Sequence, residues 1–334
     1  MLELIFKIRF IMKKSVLSAV IAVCVTGGVS ATSISYDDHI KQVMAERFAE
    51  FNAENPDMNA KYGDIHIMPS ELGQSVVIED VSFEIGVPEA ESGAKVTIGS
   101  LSFTDGLQNK NVDKVPLKGK MSFDAIKIPY SLMLDSSMSE DEKAIAKDFA
   151  GEDEALRVDL SYQYDMTVGE DTTGAIFYGA IENVGDTTVT MNITGLSDVG
   201  ELQGKAQDPN AAIMAMQGIS VTDFSMTATS FNMRNFISSM AKSDGMTDAE
   251  LLADMVKVKK EVERHEGKLS AVEKAGSDFL NAALVAYSED KQVMMDLSVS
   301  EPLNFMSVLG VMSMQNNPDG IMENLGISVD FSVR

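Results

Sequence analysis

The chain has one cysteine, no tryptophan and three histidines in 334 residues. A lone thiol cannot close an intramolecular disulfide or build a cysteine-ligated zinc site, so both scaffolds are excluded. Any Ser-His-Asp constellation would have to use His39, His66 or His265. The lack of tryptophan removes the strongest sugar-stacking platform of a glycosidase and the interfacial girdle of an outer-membrane barrel. Basic residues are also short: Lys and Arg total 27 against 51 Asp and Glu, a net charge of −24. That balance disfavours nucleic acid and an anionic membrane surface as partners, because both repel it.

Catalytic signatures are absent too. No H-E-x-x-H, phosphate loop or dinucleotide fingerprint occurs. Gly195-Leu-Ser197-Asp-Val-Gly200 has the wrong spacing for a nucleophile elbow, and Ser239-Met-Ala-Lys242 matches S-x-x-K without its S-D-N and K-T-G partners. Asn109, Asn111 and Asp113 alternate as calcium ligands do, but Lys114 and Lys120 stand where an EF-hand needs Gly and Glu. The expectation is a protein that is not an enzyme, with no catalytic residue, no cofactor and no metal site.

What is present begins with an address. Lys13-Lys14 precede an apolar run, Val16 to Val25, that is too short to cross a hydrocarbon core of roughly 30 Å. Gly27-Gly28 break the run, and Val29-Ser30-Ala31 supply a cleavage site. Residues 1–31 therefore read as a secretory signal peptide, with Met12 a better start than Met1. The destination is the periplasm of a Gram-negative bacterium, or the medium. Cys24 follows Val23 rather than a small residue, so a lipoprotein reading fails and cleavage leaves a cysteine-free chain. No later stretch approaches 18 uninterrupted apolar residues, so no transmembrane segment is expected in the remainder.

Hydrophobic residues at 45% and charged residues at 23% allow a real core. An N-terminal helical region is expected over 32–56. Ile40, Val43, Met44, Phe48 and Phe51 share one helical face, and Asn55-Pro56 ends it. A single β-rich domain follows over 57–334. Alternation marks strands around 65–67, 77–85, 96–103, 120–128, 155–168, 174–184, 186–195, 218–232, 293–299 and 327–333. Asn183-Val-Gly185-Asp186 reads as a hairpin turn.

Two stretches share the form I-x-x-[VL]-S-F: Ile78 to Phe83 and Ile98 to Phe103, with a looser echo from Ile219 to Met226. In each the alternation slips by one residue, which suits a β-bulge or a twisted strand end. Two neighbouring antiparallel strands, or a repeating unit that wraps into a long groove, would both produce this pattern.

The helical segment spans 235–287. From Leu251 to Ala286 apolar or small residues follow a 4,3,4,3 rhythm, and Thr247 with Glu250 makes a capping box. Gly267 interrupts the rhythm, but the phase across it is unbroken. That favours one bent helix over a helical hairpin, lying on the sheet or pairing in a coiled coil. Shorter helices are expected at 139–150, from Pro302 to Met314, and after Pro318.

Methionine is abundant, at 23 residues. Met214-x-Met216 and Met312-x-Met314 have thioether spacing for Cu(I), but packing is the favoured account of the abundance, ahead of an adaptable apolar binding surface and then copper. The fold class expected is α+β: a largely antiparallel, curved β-sheet with flanking helices. Phe83, Phe103, Phe123, Ile219, Phe224 and Met226 are the candidates to line an apolar groove for a lipid or a hydrophobic peptide.

The closing segments Phe279-Leu280, Met295-Asp-Leu297-Ser-Val299-Ser-Glu-Pro302-Leu303, Asn317-Pro318 and Leu325-Gly326-Ile327 complete this texture of strands and helical insert. Together these features resemble uncharacterised periplasmic β-sheet proteins distantly similar to the AsmA-like group. The resemblance implies envelope biogenesis and an elongated, lipid-facing β-groove. It carries no site residue, and the missing membrane anchor and the helical segment depart from the group's pattern. A structural or interaction protein working through the 247–287 helix is the main alternative, and a periplasmic hydrolase the next.

Overall fold

Alternating apolar residues dominate the chain, and the structure, a computed structural model, turns them into antiparallel strands. It describes residues 36–56, 58–70, 73–85, 94–105, 118–133, 143, 147, 150–151, 154–169, 172–195, 218–230, 233–265, 269–304 and 318–334. The chain divides into two compact units, Met1–Ser161 and Tyr162–Arg334. The class is α+β, as the sequence predicts, with antiparallel strand pairing and flanking helices in the described residues.

In the first unit α1 (Tyr36–Glu54) precedes β1 (Ile65–Ser70), β2 (Gly73–Ile85), β3 (Ala94–Asp105) and β4 (Lys118–Pro129). Each strand pairs antiparallel with the next. A short helix α2 (Tyr130–Met133) follows, and β5 (Ala155–Gly169) contributes residues to both units. The register sets apolar residues in rows, Ile65–Ile78–Leu101–Phe123 and then Val81–Ile98–Ile126.

Between those rows the alternation slips, as the I-x-x-[VL]-S-F pattern predicts. Asp80 has φ +54° and has no partner in the ladder, while Glu79 pairs Ser100 and Val81 pairs Ile98. Gly99 of β3 lies unpaired in the same gap, so the register is kept while both strands slip together and Val81 returns to the face of Ile78. Gly99 is also opposite Ala125, at φ +54° on β4. A Cβ on Gly99 would sit 3.0 Å from the Ala125 Cβ, so glycine makes room for that irregular residue. The two similar segments are neighbouring antiparallel strands with Ile78 opposite Leu101.

The apolar face of these strands is closed. Val76, Ile78, Val81, Phe83 and Leu101 are all at most 1% exposed. Ile40, Met44, Phe48 and Phe51 of α1 are buried as well, and the Phe51 ring meets Phe83 edge-on with centroids 6.0 Å apart. Asn52 fastens the helix to the incoming chain, accepting from the Ala60 amide at 2.7 Å and donating to its carbonyl at 2.9 Å.

In the second unit β6 (Thr172–Ile181), β7 (Gly185–Thr194), β8 (Ser220–Ser230), β9 (Val293–Val299) and β11 (Ile327–Val333) pair antiparallel in that order, and β10 (Leu303–Asn304) pairs with β8. Asn183, at φ +63°, turns the β6–β7 hairpin where the sequence places it. Helices α3 (Met233–Ser243), α4 (Asp248–Glu263), α5 (Ala271–Glu289) and α6 (Pro318–Leu325) complete the unit.

Two helical expectations are corrected. The single bent helix over 247–287 is instead two helices, α4 and α5. The break follows from a second capping box: Ser270 caps α5, and Glu273 reaches back to the Ser270 amide. The rhythm runs on in phase because both helices turn an apolar side toward one cluster built on Met233, Ile237, Ala282, Ala283 and Ala286. His265 lies past the end of α4, exposed, its Nδ1 2.9 Å from the Glu261 carbonyl. Pro302 does not open a helix at once, since Leu303–Asn304 pair with Val221 and Ser220. Residues 305–314, most of 139–150 and residues 1–31, where a signal peptide is expected, lie outside the described residues, as do both Met-x-Met pairs and the Asn109–Asp113 run.

Candidate functional site

The six residues expected to line a groove divide between the units. Phe83 is 1% exposed and Phe123 6%, in the closed core, and Phe103 is half-buried beside them. Ile219, Phe224 and Met226 lie in the second unit, at and just before β8, and all three are half-buried. The β8 bulge puts Phe224 and Met226 on the face of Val221. Asp223 has φ +50°, and the β7–β8 register shifts between Thr190 and Asn192.

Cross-strand pairing extends that face over the whole unit. Phe177 pairs Val189, Val189 pairs Met226, Met226 pairs Leu297, and Leu297 pairs Val329. Directly paired residues project from the same side of a sheet. The rows on either side hold Ala175–Met191 and Met295–Phe331. Tyr162 and Tyr164, two apart on β5, share one face; the Tyr162 ring lies 4.7 Å from the Phe177 ring and 6.0 Å from that of Tyr164. Met166 continues this line and is 37% exposed.

This face differs from its counterpart in the first unit. Phe177 is 42% exposed, and every described residue of β7 is half-buried rather than buried. The opposite face is more polar, although Ile176 and Tyr178 are exposed on it. Thr190 and Ser225 hydroxyls lie 2.6 Å apart, and Thr227 donates to Asp296 at 2.7 Å. Helix α5 covers the β9–β11 end, where Phe279 meets Phe331 with centroids 5.4 Å apart. Burial raises the Tyr162 hydroxyl above the ordinary tyrosine value. The surface is thus an open platform of aromatic and thioether groups, suited to dispersion contact with an apolar ligand.

Sequence reasoning found β8 but missed Tyr162, Tyr164, Met166 and Phe177. Their alternation is visible in the sequence. Which faces meet, and which one a helix covers, depends on strand pairing that alternation does not encode.

The chemical candidates are placed as follows. Ser239 of the S-x-x-K match is 7% exposed within α3, closed to a substrate. His66 is exposed on β1, opposite in direction to Ile65 and Ile67, with Nε2 3.6 Å from Glu79. It borders a 460 Å³ cleft with Lys41 and Glu79, whose described lining includes no serine or threonine. Among the described residues no three His, Cys, Asp or Glu group to hold a metal ion, and no helix is long and apolar enough to cross a membrane. No protein-family model matches the chain, and no curated protein matches it significantly.

Proposed function

We propose that this is an exported, non-enzymatic envelope protein that holds the acyl chain of a lipid on the open apolar face of its second unit. One contrast carries the reading. The same apolar alternation is sealed beneath α1 in the first unit, yet stays half-open along β6, β7 and β8 in the second. Leaving apolar area in water costs about 25 cal/mol per Å². A ligand that covers such a face recovers that cost. Met166, Met191, Met226 and Met295 on this side adapt to a chain of variable length and kink. The AsmA-like resemblance points the same way, and the signal peptide reading supplies the compartment.

The test is lipid extraction from the protein purified out of the periplasm, followed by mass spectrometry and titration with a dansylated fatty acid. Acyl lipid should co-purify, and Phe177→Asp should weaken fatty-acid binding at least tenfold while the circular dichroism spectrum stays unchanged. Empty protein that gives no fluorescence change overturns the reading. Capture of a hydrophobic peptide in place of the fatty acid would replace the lipid with a protein partner.

A second reading rests on α4, where Val258 is 53% exposed. An interaction protein would use that side chain against a partner helix. Sedimentation of a monomer, unchanged by Val258→Glu, removes the self-associating form.

A further inference from the structure

The polar face of the second unit holds a cleft that the lipid reading does not use. Its volume is 370 Å³, and Gln163, Asp165, Thr190, Asn192 and Asp223 line it with Ile176. Gly174, directly paired with Asn192, leaves the floor without a side chain. The β8 bulge aims Asp223 here, and Asn192 Nδ2 donates to its carboxylate at 2.8 Å. Bulges re-aim side chains.

The donor set decides the ligand class. Two carboxylates accept only, two amides both donate and accept, and the Thr190 hydroxyl does both. No basic side chain is among the described lining residues, so an anion has no counter-charge. A purely cationic ligand would not use the Gln163 amide or the second N–H that Asn192 keeps after donating to Asp223. Vicinal hydroxyls on one ring donate to carboxylates while accepting from amide N–H groups, and so match both kinds of group. Ile176, 40% exposed, offers an apolar wall to the C–H side of such a ring. We infer that this cleft binds a neutral polyol, a single saccharide ring, on the face opposite the proposed lipid surface.

The test is saturation-transfer NMR on the full chain with glucose, galactose and N-acetylglucosamine as probes, and putrescine in parallel. Ring-proton transfer is expected from at least one sugar. Asp223→Asn preserves the backbone, because asparagine tolerates positive φ. It should weaken sugar binding at least fivefold, as should Asp165→Asn, while Asp80→Asn at the corresponding positive-φ position of the first unit leaves binding unchanged. Absence of transfer from all three sugars, or transfer indifferent to both cleft variants, overturns the proposal. Putrescine binding without sugar binding overturns it in favour of an amine site. None of these outcomes depends on fatty-acid binding.

Discussion

Phe51 of α1 meets Phe83 of β2 edge-on, with ring centroids 6.0 Å apart and planes at 83°. This contact belongs to the lid that closes the first unit's apolar face. Phe83 is 1% exposed, and truncating a buried phenylalanine to alanine costs about 3–5 kcal/mol. Phe177, 42% exposed on the open face, should cost about 1 kcal/mol or less when cut to alanine. Urea unfolding of Phe83→Ala and Phe177→Ala measures the difference. Equal losses would mean that the two faces are equally sealed.

The two aspartates at positive φ give a second prediction. Asp80 and Asp223 occupy the same place in two similar strings, Ile78-Glu79-Asp80-Val81-Ser82-Phe83 and Val221-Thr222-Asp223-Phe224-Ser225-Met226, with φ of +54° and +50°. A β-branched residue is a genuine outlier there, whereas asparagine is not. Asp80→Val should lose about 1–3 kcal/mol, and Asp80→Asn less than about 0.5 kcal/mol, by the same unfolding measurement. A neutral Asp80→Val would show that the backbone can straighten at no cost.

Those strings also show where the fold was legible. The one-residue slip in I-x-x-[VL]-S-F announced the irregularity at Asp80, because one residue out of alternation keeps Ile78 and Val81 on one side. The strands at 65–67, 174–184 and 186–195 were readable because a period of two survives whatever the neighbours are. The helix break at 264–270 was readable but outweighed. Ser270-x-x-Glu273 is as clear a start signal as Thr247-x-x-Glu250, yet the continuous heptad phase suggested one rod. The open face was not readable. Phe83 and Phe177 both alternate with polar residues, and only the placement of α1 buries the first.

The cap of α5 yields a third prediction. Ser270 accepts from the Glu273 amide at 3.3 Å, and Glu273 accepts from the Ser270 amide at 2.9 Å. Ser270→Ala should cost about 1 kcal/mol. It should also raise hydrogen exchange at residues 271–273 more than elsewhere in the helix. Uniform exchange across 264–273 in the native protein would argue for the continuous helix instead.

The cap of α4 adds a pH dependence whose sign is fixed. Hydrogen bonds from the Thr247 backbone and hydroxyl hold Glu250 below the ordinary glutamate value. The folded value is therefore lower than the unfolded one. The carboxylate's contribution is complete above the unfolded value and is lost as pH falls through the folded one. Glu250→Gln removes the charge that favours the helix N-terminus, so it should be destabilising at neutral pH and progressively less so as pH falls through the folded value. Thr247→Ala leaves the Glu250 amide without its hydroxyl acceptor at every pH, so part of its cost should persist in acid. Urea midpoints of the two variants at neutral and acid pH check both statements. A Glu250→Gln penalty that is independent of pH would show that ionisation of the capping carboxylate adds nothing to folding stability.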